Sequence, residues 1–203
     1  MTVVRGVIFD LDGTLVDSRL DFEAMRSEME LPAGTPILEA LADLPSQDAA
    51  RCREILHRHE QEGAARAAPL PGAASLIAEL MERGLRLGIV TRNSRQIAAA
   101  MLAHFPPAFD PVISRDDGPA KPDPWSMLHT CRLWGLDPGE TAIVGDYRYD
   151  IESGRRAGCR TVLVRAPEVP TPWLDAVRPD LHLPSLLDVE QLLAWCAAPP
   201  TTR

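Results

Sequence analysis

Along most of the chain, short apolar runs alternate with segments whose apolar residues recur every three or four positions. The runs predict strands over residues 3–9, 85–90, 112–113, 141–144 and 160–164, with a short edge strand over 181–183. The segments between and after them predict helices over 73–83, 95–104, 124–134, 148–157 and 186–196. Gly84, Gly135 and Gly158 stand just past the ends of three of these helices, where a left-handed residue closes the last turn. Apolar strands alternating with helices form a mostly parallel sheet covered by helices, so the expected fold is α/β with a Rossmann-like parallel sheet core.

Residues 18–68 interrupt this rhythm, because they carry helical periodicity and no convincing strand. They read as a small helical insert after the first strand, leaving 1–17 and 69–203 as the core. Phe22, Met25 and Met29 fall on one helical face as packing residues. A short helix is expected between Pro36 and Pro45, and Ser46 is expected to cap a longer one running through Arg51, Ile55 and His59. The run Pro69-Leu70-Pro71-Gly72 then returns the chain to the core. Beyond Ala197 the proline-rich tail is expected to fray.

Composition narrows the function. The 203 residues suffice for one domain with an insert, and the net charge of −8 argues against nucleic acid or an anionic membrane as partner. No apolar run approaches the roughly 20 residues that span a bilayer. The N-terminal segment lacks the pattern of a signal peptide, so a cytoplasmic location is expected. Cys52, Cys131, Cys159 and Cys196 form no paired spacing and read as reduced core residues. The basic residues are twenty arginines and a single lysine, Lys121. A compact ammonium and a planar guanidinium are not interchangeable in a tight site, which makes the lone lysine a candidate for one.

The chemistry gathers where predicted strands end. The first strand runs into Asp10-Leu11-Asp12-Gly13-Thr14, two carboxylates followed by a glycine that permits a tight turn. The second ends at Thr91-Arg92-Asn93, offering a hydroxyl and backbone amides at a helix start suited to phosphate oxygens. Lys121 is followed by two prolines, Pro122 and Pro124, that stiffen its loop, and the acidic pair Asp146 and Asp150 opens the helix after the fourth strand. Strand ends of a parallel sheet converge on one crevice, so Asp10, Asp12, Thr91, Lys121, Asp146 and Asp150 are expected to meet there. Four carboxylates around one lysine leave surplus negative charge, which calls for a hard divalent cation with oxygen ligands, most simply Mg²⁺.

This ordered set, Asp-x-Asp-Gly-Thr, then Thr91, then Lys121-Pro122, then Gly145-Asp146-x-x-x-Asp150, resembles the haloacid dehalogenase superfamily over nearly the whole chain. The closest likeness is to its phosphoglycolate-phosphatase-like group with a helical cap, which the insert over 18–68 matches. The resemblance implies that Asp10 is the nucleophile, forming an aspartyl-phosphate, and that Asp12 is the general acid and base. It implies Mg²⁺ bound by Asp10, the backbone carbonyl of Asp12, and Asp146, with Asp150 orienting Lys121 or a metal-bound water. Gly13, Thr14, Thr91, Arg92 and Asn93 are expected at the phosphoryl oxygens, and Lys121 is expected to offset charge in the transition state.

Asp12 sets the chain apart from relatives that cleave carbon–halogen bonds. The lack of any lysine in the insert sets it apart from the phosphonate-cleaving branch. The expected activity is hydrolysis of a small phosphorylated metabolite, phosphoglycolate-like or a sugar phosphate, by a monomer or homodimer. A phosphosugar mutase on the same core and a catalytically silent phosphate-binding regulator are the alternatives. A signalling receiver is disfavoured by the position of Asp-x-Asp-Gly-Thr after the first strand. Residues that select the substrate are expected in the insert, and Arg92, Tyr147, Arg148 and Tyr149 are expected at the mouth of the crevice.

Overall fold

The structure, a computed structural model, describes residues 3–199. Six strands form one parallel sheet: β1 (Gly6–Phe9), β4 (Arg86–Val90), β5 (Val112–Ile113), β6 (Thr141–Gly145), β7 (Arg160–Val164) and β8 (Leu181–Leu183). Their order is β5-β4-β1-β6-β7-β8, with every neighbouring pair parallel. The chain builds outward from β1 in both directions, so the crevice beside the C-terminal end of β1 is a topological switch point. The residues of β1, β6 and β7 are all buried, which explains their apolar runs without alternation.

Helices α4 (Ala73–Glu82), α5 (Arg95–Leu102), α6 (Trp125–Trp134), α7 (Arg148–Ala157) and α9 (Val189–Ala197) accompany the sheet. α6 packs closely because two strands carry glycine beneath it. A Cβ at Gly6 lies 2.5 Å from the Trp134 ring, and one at Gly88 lies 3.0 Å from it. The indole N–H of Trp134 donates to Asp110 O at 2.7 Å, which completes its burial.

The chain divides into two units, one running to Asp17 and resuming at Ala68, the other Ser18–Ala67. The second unit holds α1 (Phe22–Glu28), α2 (Ile37–Asp43) and α3 (Ser46–Arg66). Its own core contains Met25, Met29, Ile37, Leu41, Cys52, Ile55 and Leu56. Asp21 caps α1 by accepting from Glu23 N and Ala24 N. The chain leaves and re-enters the first unit through a two-residue antiparallel ribbon, β2 (Val16–Asp17) with β3 (Ala68–Pro69).

Several local expectations need correction. Residues 3–5 do not join β1, because Val4 N and Arg5 N donate to Cys196 O and Glu140 O instead of to a strand. Ser46 is the first residue of α3 and Pro45 the cap, with no side-chain capping bond. Phe22 is 47% exposed and does not share the packing of Met25 and Met29. The last helix starts at Val189, three residues later than its apolar pattern suggested. The ribbon β2–β3, the 3₁₀ turn Pro138–Glu140 and the short α8 (Leu174–Val177) fell below the length at which periodicity speaks. All four cysteines are buried and free. Among the described residues no helix is long and apolar enough to cross a membrane. The expected fraying of the tail lies partly outside the described residues.

Candidate active site

Asp10 directly follows β1, and its backbone N–H donates to Val144 O of β6, locking the tip of the central strand to its neighbour. Thr91 directly follows β4 and is locked in the same way, Thr91 N donating to Ile113 O of β5 at 2.9 Å. Side chains on these tips are therefore placed by the sheet register itself.

Lys121 reaches this point from the loop beyond β5, and all three ammonium donors are used. Nζ donates to Asp10 Oδ1 at 2.6 Å, to Asp150 Oδ1 at 2.7 Å and to Val90 O at 2.7 Å. Burial pulls its pKa down, but the Asp10 and Asp150 charges and hydrogen bonds outweigh that, and the group is held above its ordinary value. Lys121 stays an ammonium at neutral pH.

One carboxylate oxygen from each of Asp10, Asp146 and Asp150 lies within 4.8 Å of the others. Burial pushes the Asp10 carboxyl up to about 7, the Lys121 ammonium opposing the rise and the Asp150 charge adding to it. Asp146 is raised well above the ordinary carboxylate range, first by burial and then by the charges of Asp10 and Asp150. Three hard oxygen donors that repel one another at this range fit a divalent cation such as Mg²⁺. Asp150 has other duties as well, since Oδ1 accepts from Lys121 and Oδ2 from Tyr147 N at 3.1 Å.

Two glycines let these groups approach. A Cβ on Gly145 lies 2.3 Å from Asp150 Cγ, so only glycine lets Asp150 sit against the end of β6. Gly13 has φ +83°, and a Cβ there lies 2.8 Å from Asp146 Oδ2. The loop around it is closed by Gly13 N donating to Val16 O and Val16 N donating to Leu11 O. Thr14 is buried within this turn, and its hydroxyl donates to Asp146 Oδ1 at 3.4 Å.

The Asp12 carboxylate stands outside the group formed by Asp10, Asp146 and Asp150, although both aspartates leave the same strand tip. Thr91 is buried, and its hydroxyl oxygen accepts from Asn93 N at 3.1 Å. The Asn93 amide turns into the protein toward Met101 Sδ, 3.9 Å away. Arg92 donates to the carbonyl of Lys121, tying the second strand tip to the lysine loop. The fold thus brings Asp10, Thr14, Lys121, Asp146 and Asp150 into one linked set.

Arg165 was not foreseen. Its Nη1 donates to Asp146 O at 3.2 Å and lies 3.8 Å from Asp146 Oδ2. The available signal was position, since Arg165 follows a buried strand immediately, as Asp10, Thr91 and Asp146 do.

A family model described as haloacid dehalogenase-like hydrolase matches residues 4–158. The chain is 31% identical to a haloacid dehalogenase-like hydrolase domain-containing protein of Arabidopsis thaliana, over 95% of this chain and 84% of that protein. It is 33% identical to an N-acetylmuramic acid 6-phosphate phosphatase of Pseudomonas putida, over 80% of this chain and 83% of that protein. A hydrolase from Pseudomonas syringae shares the fold with TM-score 0.80 at 23% identity, covering 96% of this chain and 100% of that one. The strand-tip aspartates, the buried lysine and this match over most of the sequence agree: the chain belongs to the haloacid dehalogenase-like hydrolases and is an enzyme of their phosphatase kind.

Proposed function

We propose that the protein is a Mg²⁺-dependent phosphatase that releases phosphate from a small phosphorylated metabolite, phosphoglycolate-like or a sugar phosphate, through an aspartyl-phosphate on Asp10. The observation that carries this reading is the Lys121 ammonium bonded to Asp10 Oδ1 at the tip of the central strand, with the Asp146 and Asp150 carboxylates alongside. A nucleophilic carboxylate needs its charge controlled and its rotamer held, and this contact supplies both.

In this reading an Asp10 oxygen attacks phosphorus while the bond from phosphorus to the ester oxygen breaks. Asp12 protonates the departing alcohol and then takes a proton from the water that hydrolyses the aspartyl-phosphate. The position of the Asp12 carboxylate outside the Asp10–Asp146–Asp150 group suits this role, because a proton carrier must not be bound up with the cation. Lys121 and the backbone amides of Thr14 and Arg92 stabilise the charge that develops on the phosphoryl oxygens, with the Thr91 hydroxyl donating. Asp10, the backbone carbonyl of Asp12 and Asp146 would hold Mg²⁺, which when bound would supply charge neutralisation. Asp150 acts through Lys121, to which one of its oxygens is bonded.

The reading includes the division of the chain into a core, 1–17 with 69–203, and a substrate-selecting cap, 18–68. It also includes a cytoplasmic enzyme, monomer or homodimer, working without nucleic acid or membrane. A panel of phosphate esters incubated with and without Mg²⁺, with wild type and Asp10→Asn, tests it. Mg²⁺-dependent phosphate release that Asp10→Asn abolishes is the expected result. A folded, Mg²⁺-binding protein that releases phosphate from no ester overturns it.

A further inference from the structure

The chain has two tyrosines, and both directly flank the start of α7 beside Asp146. They belong to a row of rings. Tyr147 meets Tyr149 edge to face at 5.1 Å and Trp173 at 5.4 Å. Guanidinium groups cover both ends of the row, Arg165 at 5.7 Å from the Trp173 ring, and Arg92 and Arg148 at 4.6 and 4.9 Å from the Tyr149 ring. The ends are tied to the backbone of the site itself, Arg165 through Asp146 O and Arg92 through Lys121 O.

Self-packing of surface aromatics is the ordinary explanation for such a row. It does not account for Tyr147, which remains 41% exposed while its two ring neighbours hold it still. A ring that is already immobilised loses little freedom when something binds to it, which is what a recognition surface requires. Two of the three guanidiniums in the row are engaged on the protein's own backbone. Arg165 donates to Asp146 O, Thr171 Oγ1 and Pro170 O, and Arg92 to Lys121 O. The guanidiniums rest on Tyr149 and Trp173, which leaves an aromatic surface at the exposed Tyr147, and a flat ring suits it better than a second anionic group. Tyr147 is also the residue next to Asp146, and its N–H is bonded to Asp150, so its backbone is anchored beside the reacting centre.

Resting on the phosphatase reading and going beyond the substrates named there, we propose that Tyr147 stacks a planar ring carried by the leaving group. The preferred substrates are then phosphate monoesters of ring-bearing alcohols, such as nucleoside 5′-monophosphates, over small acyclic esters. Tyr147 is the specificity-determining residue, Tyr149 and Trp173 position its ring, and Arg92, Arg148 and Arg165 pack on those two.

The test compares adenosine 5′-monophosphate with ribose 5-phosphate, which share the phosphoester and the pentose and differ by the base. Base–aromatic stacking predicts a kcat/KM ratio of about tenfold or more in favour of the nucleotide. Tyr147→Phe is expected to keep that ratio. Tyr147→Ala is expected to bring it near one, mainly through KM of the nucleotide. A wild-type ratio near one, or a ratio that survives Tyr147→Ala, overturns the stacking proposal while leaving the phosphatase reading intact. Release of phosphate from neither of these esters nor any other overturns both.

Discussion

Lys121 Nζ lies 2.6 Å from Asp10 Oδ1, joining residues 111 positions apart in the chain. The same nitrogen holds Val90 O and Asp150 Oδ1, so one ammonium ties together the ends of β1 and β4 and the first turn of α7. The lysine side chain is 2% exposed, and a guanidinium cannot reproduce three short bonds diverging from one atom. This is why a chain that otherwise uses arginine keeps lysine here.

Replacing the ammonium strands two buried carboxylates. Lys121→Met is expected to destabilise the protein by about 3–5 kcal/mol at neutral pH, the usual consequence of removing one partner of a buried pair. Hydrolysis is expected to fall at least a hundredfold. Urea unfolding at pH 7.5 and steady-state kinetics measure the two effects, and a Lys121→Met enzyme of near wild-type rate removes the lysine from the mechanism.

The raised carboxyls make the metal-free protein sensitive to pH. An acid whose pKa rises on folding favours the folded state while protonated, so that stability is present below the unfolded value of 3.8 and is lost as pH rises through about 7. Asp146 is shifted in the same direction and adds to the loss. In chelator, the melting temperature is therefore expected to fall between pH 4 and 8. At pH 8, Asp10→Asn is expected to melt above wild type, and Mg²⁺ to raise the wild-type melt by binding the folded state alone. A metal-free wild type that grows more stable across this range contradicts the electrostatics described here.

Gly145→Ala tests the close approach at the end of β6. The new methyl carbon lies 2.3 Å from Asp150 Cγ, so the carboxylate must move and its bond to Lys121 must lengthen. A cost of about 1–3 kcal/mol is expected from overpacking. Activity is expected to drop more than tenfold, because small displacements of positioning groups carry large rate penalties. Gly139→Ala, where a Cβ meets nothing within 4 Å, serves as the neutral control in the same unfolding and rate assays.

Trp134→Ala probes the scaffold instead of the site. Its ring rests against Gly6 and Gly88 on neighbouring strands, so its loss opens a cavity that those glycines cannot fill. A loss of about 3–5 kcal/mol is expected by chemical denaturation, with turnover per folded molecule largely kept. A change below about 1 kcal/mol shows that the sheet closes over the gap.

Much of this molecule is decided locally, and that part was legible in the sequence. Whether a segment is a strand or a helix depends on apolar spacing, and β5, β7, β8 and α7 occupy the predicted residues. The strand-tip residues Asp10, Thr91 and Asp146 were identifiable because they follow such runs directly, and Lys121 because it is the one lysine among twenty arginines. What only the tertiary structure decided depends on which distant elements become neighbours. Both Asp10 and Asp12 leave β1, yet of the two only the Asp10 carboxylate joins Asp146 and Asp150, a difference that their shared spacing along the chain does not encode. Arg165, Trp173 and Tyr147 come together because β7 lies beside β6, an adjacency set by the order β1-β6-β7. Local pattern encodes what each segment is and where its tip falls. Pairing order, side-chain bonds and the fit of Trp134 over Gly6 and Gly88 arise from contacts between residues far apart in the chain, which no local pattern records.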